Sequence, residues 1–568
     1  MRSNQQFLLR VRFISVCCVL AGIVLVGKLY VVQIVQGDTY REKAERQYSR
    51  PNQELWDRGS IFFQMHDGSR VSAASLKSGF TLAIVPKDIT DPELLFNGLS
   101  KEVELDRKEF FAKASKKDDP YEEVARRLSA DVAGRIEALK LDGISLFKER
   151  WRFYPGNFLS AHLLGFVGFD GDVLTGRSGL ERYYNDVLSR NVAGVYRNFF
   201  AEIFSGVKKA VGPERSEGDI ITSIEPTVEH FLEDTLAELD KKYDADRVGG
   251  IIMDPQTGKI YAMAISPSFD PNEFGKSDPN AFSNSLVESV YEMGSIVKPL
   301  TMAAGIDAGV VSATSTYYDS GYLTLNTETI SNFDGKGRGL VNMQEVLSQS
   351  LNTGAATVAI KLGDDRFPEY FRRFGFGEET GIDLPAEAAG LVKNLDTGRD
   401  IELATASYGQ GIAFTPIQTV RALAALGNGG YLVTPHVVSE IKYESGITSV
   451  VGQTEKKQIL KPETSVEISR MLVKVVDTAL LDGSYKMQNH SVAAKTGTAL
   501  IASPGGGYYE DRFLHSFFGY FPAYNPRFIV FIYAVEPKGV AYASHTLTEP
   551  FMKIAKFLIN YYEVPPDR

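Results

Sequence analysis

The run Phe13 to Val35 constrains this chain first: Lys28 is its earliest charge, and Arg2, Arg10 and Arg12 all stand in front of it. About 20 apolar residues cross a bilayer, and a lysine near the far end can reach the headgroups. Basic residues on one flank set the orientation, so 1–12 is expected as a cytoplasmic tail and 13–35 as a transmembrane helix, with the remainder outside. A cleaved signal would need a small-x-small site after the run, where Tyr30-Val31-Val32-Gln33 stands instead. A lipoprotein cysteine should follow the run, whereas Cys17 and Cys18 lie near its start. A buried core helix would not need such one-sided arginines. The expectation is a retained, single-pass anchor in the inner or plasma membrane, with the bulk of the chain extracytoplasmic, on the periplasmic side.

At 568 residues the chain exceeds one core and suits two or three domains. A net charge of −10 leaves no basic surplus to displace counterions from phosphates, so no nucleic-acid partner is expected. Everything after Cys18 lacks both a disulfide and a thiol nucleophile. The histidines (His66, His162, His230, His436, His490, His515, His545) are scattered singly, without paired spacing, so neither a metal site nor a Ser–His pair is expected.

Residues 36–244 read as a mixed α/β membrane-proximal domain. Gly37 to Gln47 suits a polar helix ended by Pro51-Asn52, Phe80 to Val85 a strand, and Tyr121 to Leu139 a charged helix. From 245 to 568 the pattern sharpens. Pro226 to Tyr243 has helical spacing with proline in the first turn and leads into it. Gly249 to Asp254 and Lys259 to Ile265 form a hairpin around Pro255-Gln256-Thr257-Gly258. Helical stretches follow from about Ser295 to Leu480. Strand candidates then appear at Ser491–Leu500, Phe513–Phe521 and Arg527–Val535, before an amphipathic helix from about Thr548 to Tyr562. Strands from both ends would share one antiparallel sheet with a helical block inserted, and a pocket belongs at that seam.

Three motifs lie along this region. Ser295 and Lys298 are three apart, which on a helix puts both on one face, where a desolvated lysine can serve as base to the hydroxyl. Ser-x-x-Lys also occurs at Ser145–Lys148, Ser205–Lys208 and Ser439–Lys442; Gly294 before the serine and Pro299 after the lysine distinguish this one. Ser350-Leu351-Asn352, followed by Gly354, falls in a break between helical Met343–Gln349 and Ala355–Leu362. Its hydroxyl can relay a proton and its amide can orient a lysine and a substrate amide, although an ordinary cap-and-turn would look the same. Lys495-Thr496-Gly497-Thr498 ends a small-residue strand. An edge strand with glycine admits a substrate backbone, lysine and threonines can receive a carboxylate, and a backbone N–H beside Thr498 can face an oxyanion.

In this order and in one sheet–helix–sheet region, the three resemble the motif set of penicillin-binding proteins and serine β-lactamases. The chain is most similar to the class B penicillin-binding proteins, nearer the cell-division branch than the elongation branch. The likeness extends to Arg58-Gly59-Ser60-Ile61, Arg152-Phe153-Tyr154-Pro155, Ala161 to Phe166, Gly179-Leu180-Glu181, Tyr408 to Gly411, and Thr415-Pro416 with Gln418. Met293 stands where the family usually has proline, and Asp67-Gly68 replaces the usual Asp-Arg-x-Gly.

The resemblance implies an α+β fold: a single transmembrane helix, an elongated mixed α/β membrane-proximal domain, and a penicillin-binding transpeptidase domain whose antiparallel sheet is flanked by helices and joined to an all-helical subdomain. It implies a serine-type D,D-transpeptidase that needs no cofactor. Ser295 would attack, Lys298 would act as base, Ser350 would pass a proton to the departing D-Ala, and Asn352 and Lys495 would hold the site's charges. Thr496, Gly497 and Thr498 would bind substrate. Partners would be stem peptides (a D-Ala-D-Ala donor and an amine acceptor), β-lactams and a membrane glycosyltransferase. Two alternatives stay open: a D,D-carboxypeptidase or β-lactamase using water on the same acyl-enzyme, and a β-lactam-binding sensor or scaffold without turnover.

Overall fold

The computed structural model describes residues 56–171, 173–190, 217–452 and 456–568. The expected anchor at 13–35 and the helix at 37–47 lie outside these. Among the described residues no helix is long and apolar enough to cross a membrane.

The chain forms two compact units, one containing Ser78–Arg150 and the other Asp57–Lys77 with Trp151–Arg568. In the smaller unit, the strand Glu122–Leu128 pairs with residues 80–84. Leu82, Ile84, Leu95, Leu99, Phe110 and Ile136 make its core. The charged helix expected from Tyr121 to Leu139 is corrected here. Residues 122–128 are strand, and a helix begins only at Ala130, where the Ser129 hydroxyl caps it by accepting from the Val132 N–H. Cross-strand burial against Leu82 outweighs the helical charge pattern that the sequence displays.

Two multi-stranded sheets organise the larger unit, beside several two-stranded pairs. In one, Ile61–Gln64 pairs with residues 70–74 and, in parallel, with Gly218–Thr222, which pairs in turn with Val438–Tyr443. Beside this sheet Glu181 is fully buried and accepts from Arg58 Nε at 2.6 Å and Arg152 Nε at 2.5 Å. Burial alone would raise its pKa, but the Arg152 and Arg58 guanidiniums hold the carboxyl below its usual range. These arginines and this glutamate are among the flanking residues that the sequence singled out.

The other sheet positions the site. The helix α1 (Pro226–Tyr243) leads into strands β1 (Arg247–Met253) and β2 (Ile260–Ser266). Strands β3 (Ala493–Ala502), β4 (Tyr508–Phe521) and β5 (Phe528–Val535) precede the last helix, α5 (Ala543–Tyr561). The order is β3-β4-β5-β1-β2, antiparallel throughout, so the two ends of the region meet at β5 and β1 and β3 is left as an edge. Helices cover both faces, which is why β1 and β5 read as continuous apolar runs rather than alternating ones. On one face α1 and α5 pack with Leu232, Leu236, Phe551 and Leu558, and Phe231 stacks on Phe557 at 3.9 Å.

The inserted block carries the helices α2 (Lys298–Asp307), α3 (Met343–Ser348) and α4 (Asn352–Arg373). It is not all-helical as expected. Two hairpins, Thr316–Asp319 with Gly339–Asn342 and Tyr322–Leu325 with Glu328–Ser331, sit between α2 and α3. Their four-residue strands are too short for a readable period, and mutual pairing replaces the helix that local composition suggests.

Candidate active site

Gly294–Val297 form a turn of 3₁₀-helix that runs directly into α2. Gly294 sits at φ +65°, and Gly294 N–H donates to Gly409 O at 3.1 Å. A side chain at Gly409 would meet Gly294 O at 2.4 Å, so two glycine backbones lie in contact behind the turn. Pro299 occupies the first turn of α2, where its missing N–H costs nothing. Helical spacing puts Ser295 and Lys298 on the same side. Ser295 lines a cavity of about 630 Å³, while Lys298 is buried with 1% of its surface exposed.

Ser350 is the meeting point. It adopts a left-handed φ of 58°, which breaks the chain between α3 and α4 and is uncommon for a residue with a Cβ. Lys298 Nζ donates to Ser350 O at 2.5 Å and to Ser350 Oγ at 3.1 Å. Lys495 Nζ donates to the same Oγ at 3.1 Å and to Thr496 O at 2.9 Å. One hydroxyl oxygen thus accepts from two lysines whose sequence positions are 197 apart, by subtraction of 298 from 495. No carboxylate joins either ammonium in these contacts. Burial, then the charge of Lys495, pushes the Lys298 pKa well below that of an ordinary lysine. Burial also brings Lys495 down to about 8. Two buried lysines that meet at one hydroxyl, both with pKa values pulled down, are the kind of perturbed cluster that marks a candidate functional site.

Asn352 opens α4, lines the cavity and donates from Nδ2 to Ser331 O at 2.8 Å. Thr496 and Thr498 line the cavity from β3. Thr498 Oγ1 accepts from the Ala543 N–H at 3.1 Å, tying the strand to the start of α5. Gly497 is spent on a different neighbour. A Cβ there would lie 2.7 Å from Met293 O and 2.4 Å from Ser516 Oγ, so its bareness lets the Ser295 turn lie against the strand. Ser516 Oγ donates to Met293 O at 2.9 Å and completes that contact.

Ser295, Ser350, Asn352, Thr496 and Thr498 therefore share one cavity, with Lys298 and Lys495 joined at Ser350. Two rival serine–lysine pairs are excluded by geometry. Ser145 with Lys148 and Ser439 with Lys442 lie on strands, where a spacing of three points to opposite faces. Ser205–Lys208 lies outside the described residues.

Some wall residues went unread in the sequence. Asp319, 1% exposed, accepts from Thr353 Oγ1 at 2.8 Å and from Asn332 Nδ2 at 3.0 Å, and so fixes the start of α4 beside Asn352. Phe333 and Tyr542 face each other edge-on at 5.2 Å from the two sides of the cavity, and Tyr408 and Tyr508 line it as well. No spacing rule links these positions; the hairpins, the strand β4 and the start of α5 bring them together.

Residues 248–556 match the family model of the penicillin binding protein transpeptidase domain, and residues 58–195 match that of the penicillin-binding protein dimerisation domain. The stage V sporulation protein D of Bacillus subtilis is 30% identical, over 97% of this chain and 85% of its own. The peptidoglycan D,D-transpeptidase FtsI of Escherichia coli K12 is 26% identical, over 97% and 91% respectively. The crystal structure of penicillin binding protein 3 from Mycobacterium tuberculosis complexed with aztreonam superposes with a TM-score of 0.68. At 21% identity, covering 90% of this chain and 98% of that one, it shares the fold.

Proposed function

This chain belongs to the class B penicillin-binding proteins, the peptidoglycan D,D-transpeptidases, nearer the cell-division branch, and on that premise we propose that Ser295 carries the acyl group. The observation that supports this most is the single Ser350 hydroxyl held between Lys298 and Lys495 in the cavity that Ser295 lines.

Lys298, favoured as the neutral amine by burial, takes the proton of Ser295 Oγ. The Oγ–carbon bond forms at the carbonyl of the penultimate D-Ala, and the N–H groups of Ser295 and Thr498 receive the oxyanion. Collapse breaks the carbon–nitrogen bond. The proton leaves Lys298 through Ser350 Oγ to the departing D-Ala amine. In the second half a neutral acceptor amine attacks the acyl carbon, a carbon–nitrogen bond forms and the ester bond to Oγ breaks. The amine's proton returns through the same relay to Ser295. Thr496 and Thr498, with Lys495, meet the terminal carboxylate, and Asn352 meets a substrate amide. Gly497 keeps the strand close to the Ser295 turn.

β-Lactams acylate Ser295 by presenting the same carboxylate and a strained amide. Residues 245–568 perform this chemistry and 36–244 serve as a pedestal. Residues 13–35 hold the chain in the cell's inner or plasma membrane with the catalytic region outside, beside a glycosyltransferase that supplies the glycan strands; the support here is Arg2, Arg10 and Arg12 before an apolar run. Labelling membranes with a fluorescent penicillin tests the nucleophile. Wild type should label and Ser295→Ala should not, and equal labelling of the two would discard the assignment.

A further inference from the structure

Among the described residues that line the cavity, Arg338 is the only cation and Asp334 the only acid. They face each other: Arg338 NH1 donates to Asp334 Oδ1 at 2.9 Å and NH2 to Oδ2 at 2.7 Å. The pair forms part of the wall next to Ser350, because Arg338 Nε donates to Gln349 Oε1 at 3.1 Å.

Surface ion pairs of this spacing are common and most do nothing beyond steadying a turn. Two observations separate this one. First, its backbone is fixed from beneath. The Arg338 N–H donates to the buried Asp319 at 3.0 Å, and Asn332 Nδ2 reaches both Asp319 and Lys336 O. The arginine is therefore presented by a rigid frame that also holds Thr353, beside Asn352. Secondly, the hydrogen-bonding capacity is not exhausted. A guanidinium has five N–H bonds. Nε uses one on Gln349, NH1 uses two on Asp334 Oδ1 and Lys336 O, and NH2 uses one on Asp334 Oδ2. One N–H remains on NH2. Asp334 Oδ1 already accepts from Lys336 N and Arg338, whereas Oδ2 accepts only from NH2. A spare donor and a spare acceptor thus lie at the same NH2–Oδ2 edge. The Arg338 guanidinium holds the Asp334 carboxyl down to about 2, so the acceptor stays ionised.

An edge that offers one cationic donor and one anionic acceptor side by side complements a group that carries a carboxylate and an ammonium side by side. We infer that Asp334 and Arg338 read the zwitterionic end of a donor side chain, one that terminates in an ammonium and a carboxylate on the same carbon. This deepens the proposed function and rests on it. The placement selects the donor. A donor strand laid on the open edge of β3, its terminal carboxylate at Thr496 and Thr498, turns alternate side chains toward the facing wall. That wall is where Asp334 and Arg338 stand. The residue before the two terminal D-alanines then supplies the side chain.

The test uses the full chain in detergent and the acylation half-reaction, with no acceptor peptide present. Four donors share one backbone and differ at that side chain: free zwitterionic end, carboxylate converted to amide, amine acetylated, and a plain alkyl chain. For wild type the zwitterionic donor should acylate fastest. Arg338→Gln should reduce the preference for free carboxylate over amide by about tenfold, the size of one charge-assisted hydrogen bond. Asp334→Asn should reduce the preference for free amine over acetylated amine by a similar factor. Arg338→Lys, which keeps the charge and loses the fork, should fall between, and it answers the question if Arg338→Gln does not fold. Unchanged preferences in the variants overturn the inference. So does an equal slowing of all four donors together with penicillin, because the pair would then only brace Ser350. A preference visible only when an acceptor peptide is added would also overturn the assignment to the donor. Failure of wild type to take up penicillin at Ser295 is a different result, and it would refute the transpeptidase site itself.

Discussion

Replacing Lys298 with methionine separates what the buried amine does for the reaction from what it does to the fold. Lys298 is 1% exposed, and its polar contacts are Ser350 O at 2.5 Å and Ser350 Oγ at 3.1 Å, with the charge of Lys495 nearby. Breaking those contacts leaves a carbonyl and a hydroxyl less satisfied, a loss of about 1–3 kcal/mol. The hydroxyl retains Lys495, so the loss belongs at the low end. Against it stands the cost of keeping a polar amine out of water, at most about 1–3 kcal/mol for an imperfectly paired group, which methionine does not carry. The two nearly cancel. Lys298→Met should therefore unfold within about 2 kcal/mol of wild type. Acylation should behave quite differently. Without a base the neutral hydroxyl is a poor nucleophile, and positioned proton transfer contributes roughly 10²–10⁴-fold, so penicillin labelling should fall by that range. Time-resolved labelling and thermal unfolding on one preparation measure both. Labelling at the wild-type rate would remove lysine as the base. Unfolding more than about 3 kcal/mol easier would show that the amine serves chiefly to hold the fold.

Two further outcomes follow from the same geometry. Acylation should be bell-shaped in pH: it rises as Lys298 loses its proton and falls as Lys495 loses its own at about 8, the two limbs belonging to the coupled pair. Lys495→Arg, which stays protonated, should push the alkaline limb upward in a penicillin-labelling profile, and an unmoved limb would detach it from Lys495. Gly497→Ala places a Cβ 2.7 Å from Met293 O, so the turn carrying Ser295 must shift. A displacement approaching 1 Å should slow labelling by about 10²-fold, and a wild-type rate would show that the turn yields freely.

The chemistry of the site was more legible than its walls. Ser295 and Lys298 are local neighbours on one turn, and Gly294 and Pro299 mark that turn, so sequence alone could separate them from pairs that proved to lie on strands. The break at Ser350 was visible because helical patterns end on either side of it; its left-handed φ was not. β1 and β5 could be placed in one sheet by their apolar runs, since each is buried on both faces, but not paired with each other. The cavity wall was hidden for a physical reason. Asp319, Asn332 and Thr353 meet through side chains from two hairpins and a helix start, and no period in the chain encodes such a meeting. The misread segment at 121–139 failed likewise, because its strand exists only through pairing with residues 80–84.

The glycine contacts behind Ser295, the proposed nucleophile, bear on how such an enzyme can escape an inhibitor. The Ser295 turn is held on one side by the backbone of Gly409 and on the other by the strand at Gly497, with no space for an added methyl at either contact. Mutational drift that blunts a drug while sparing wall synthesis has little room at that turn, because on the proposed mechanism both acylations use Ser295. It has room at Phe333 and Tyr542, which are 52% and 45% exposed and touch one another across the cavity mouth. A population under β-lactam selection should accordingly accumulate changes at that mouth and in the hairpins beneath it, leaving Gly294, Gly409 and Gly497 unaltered.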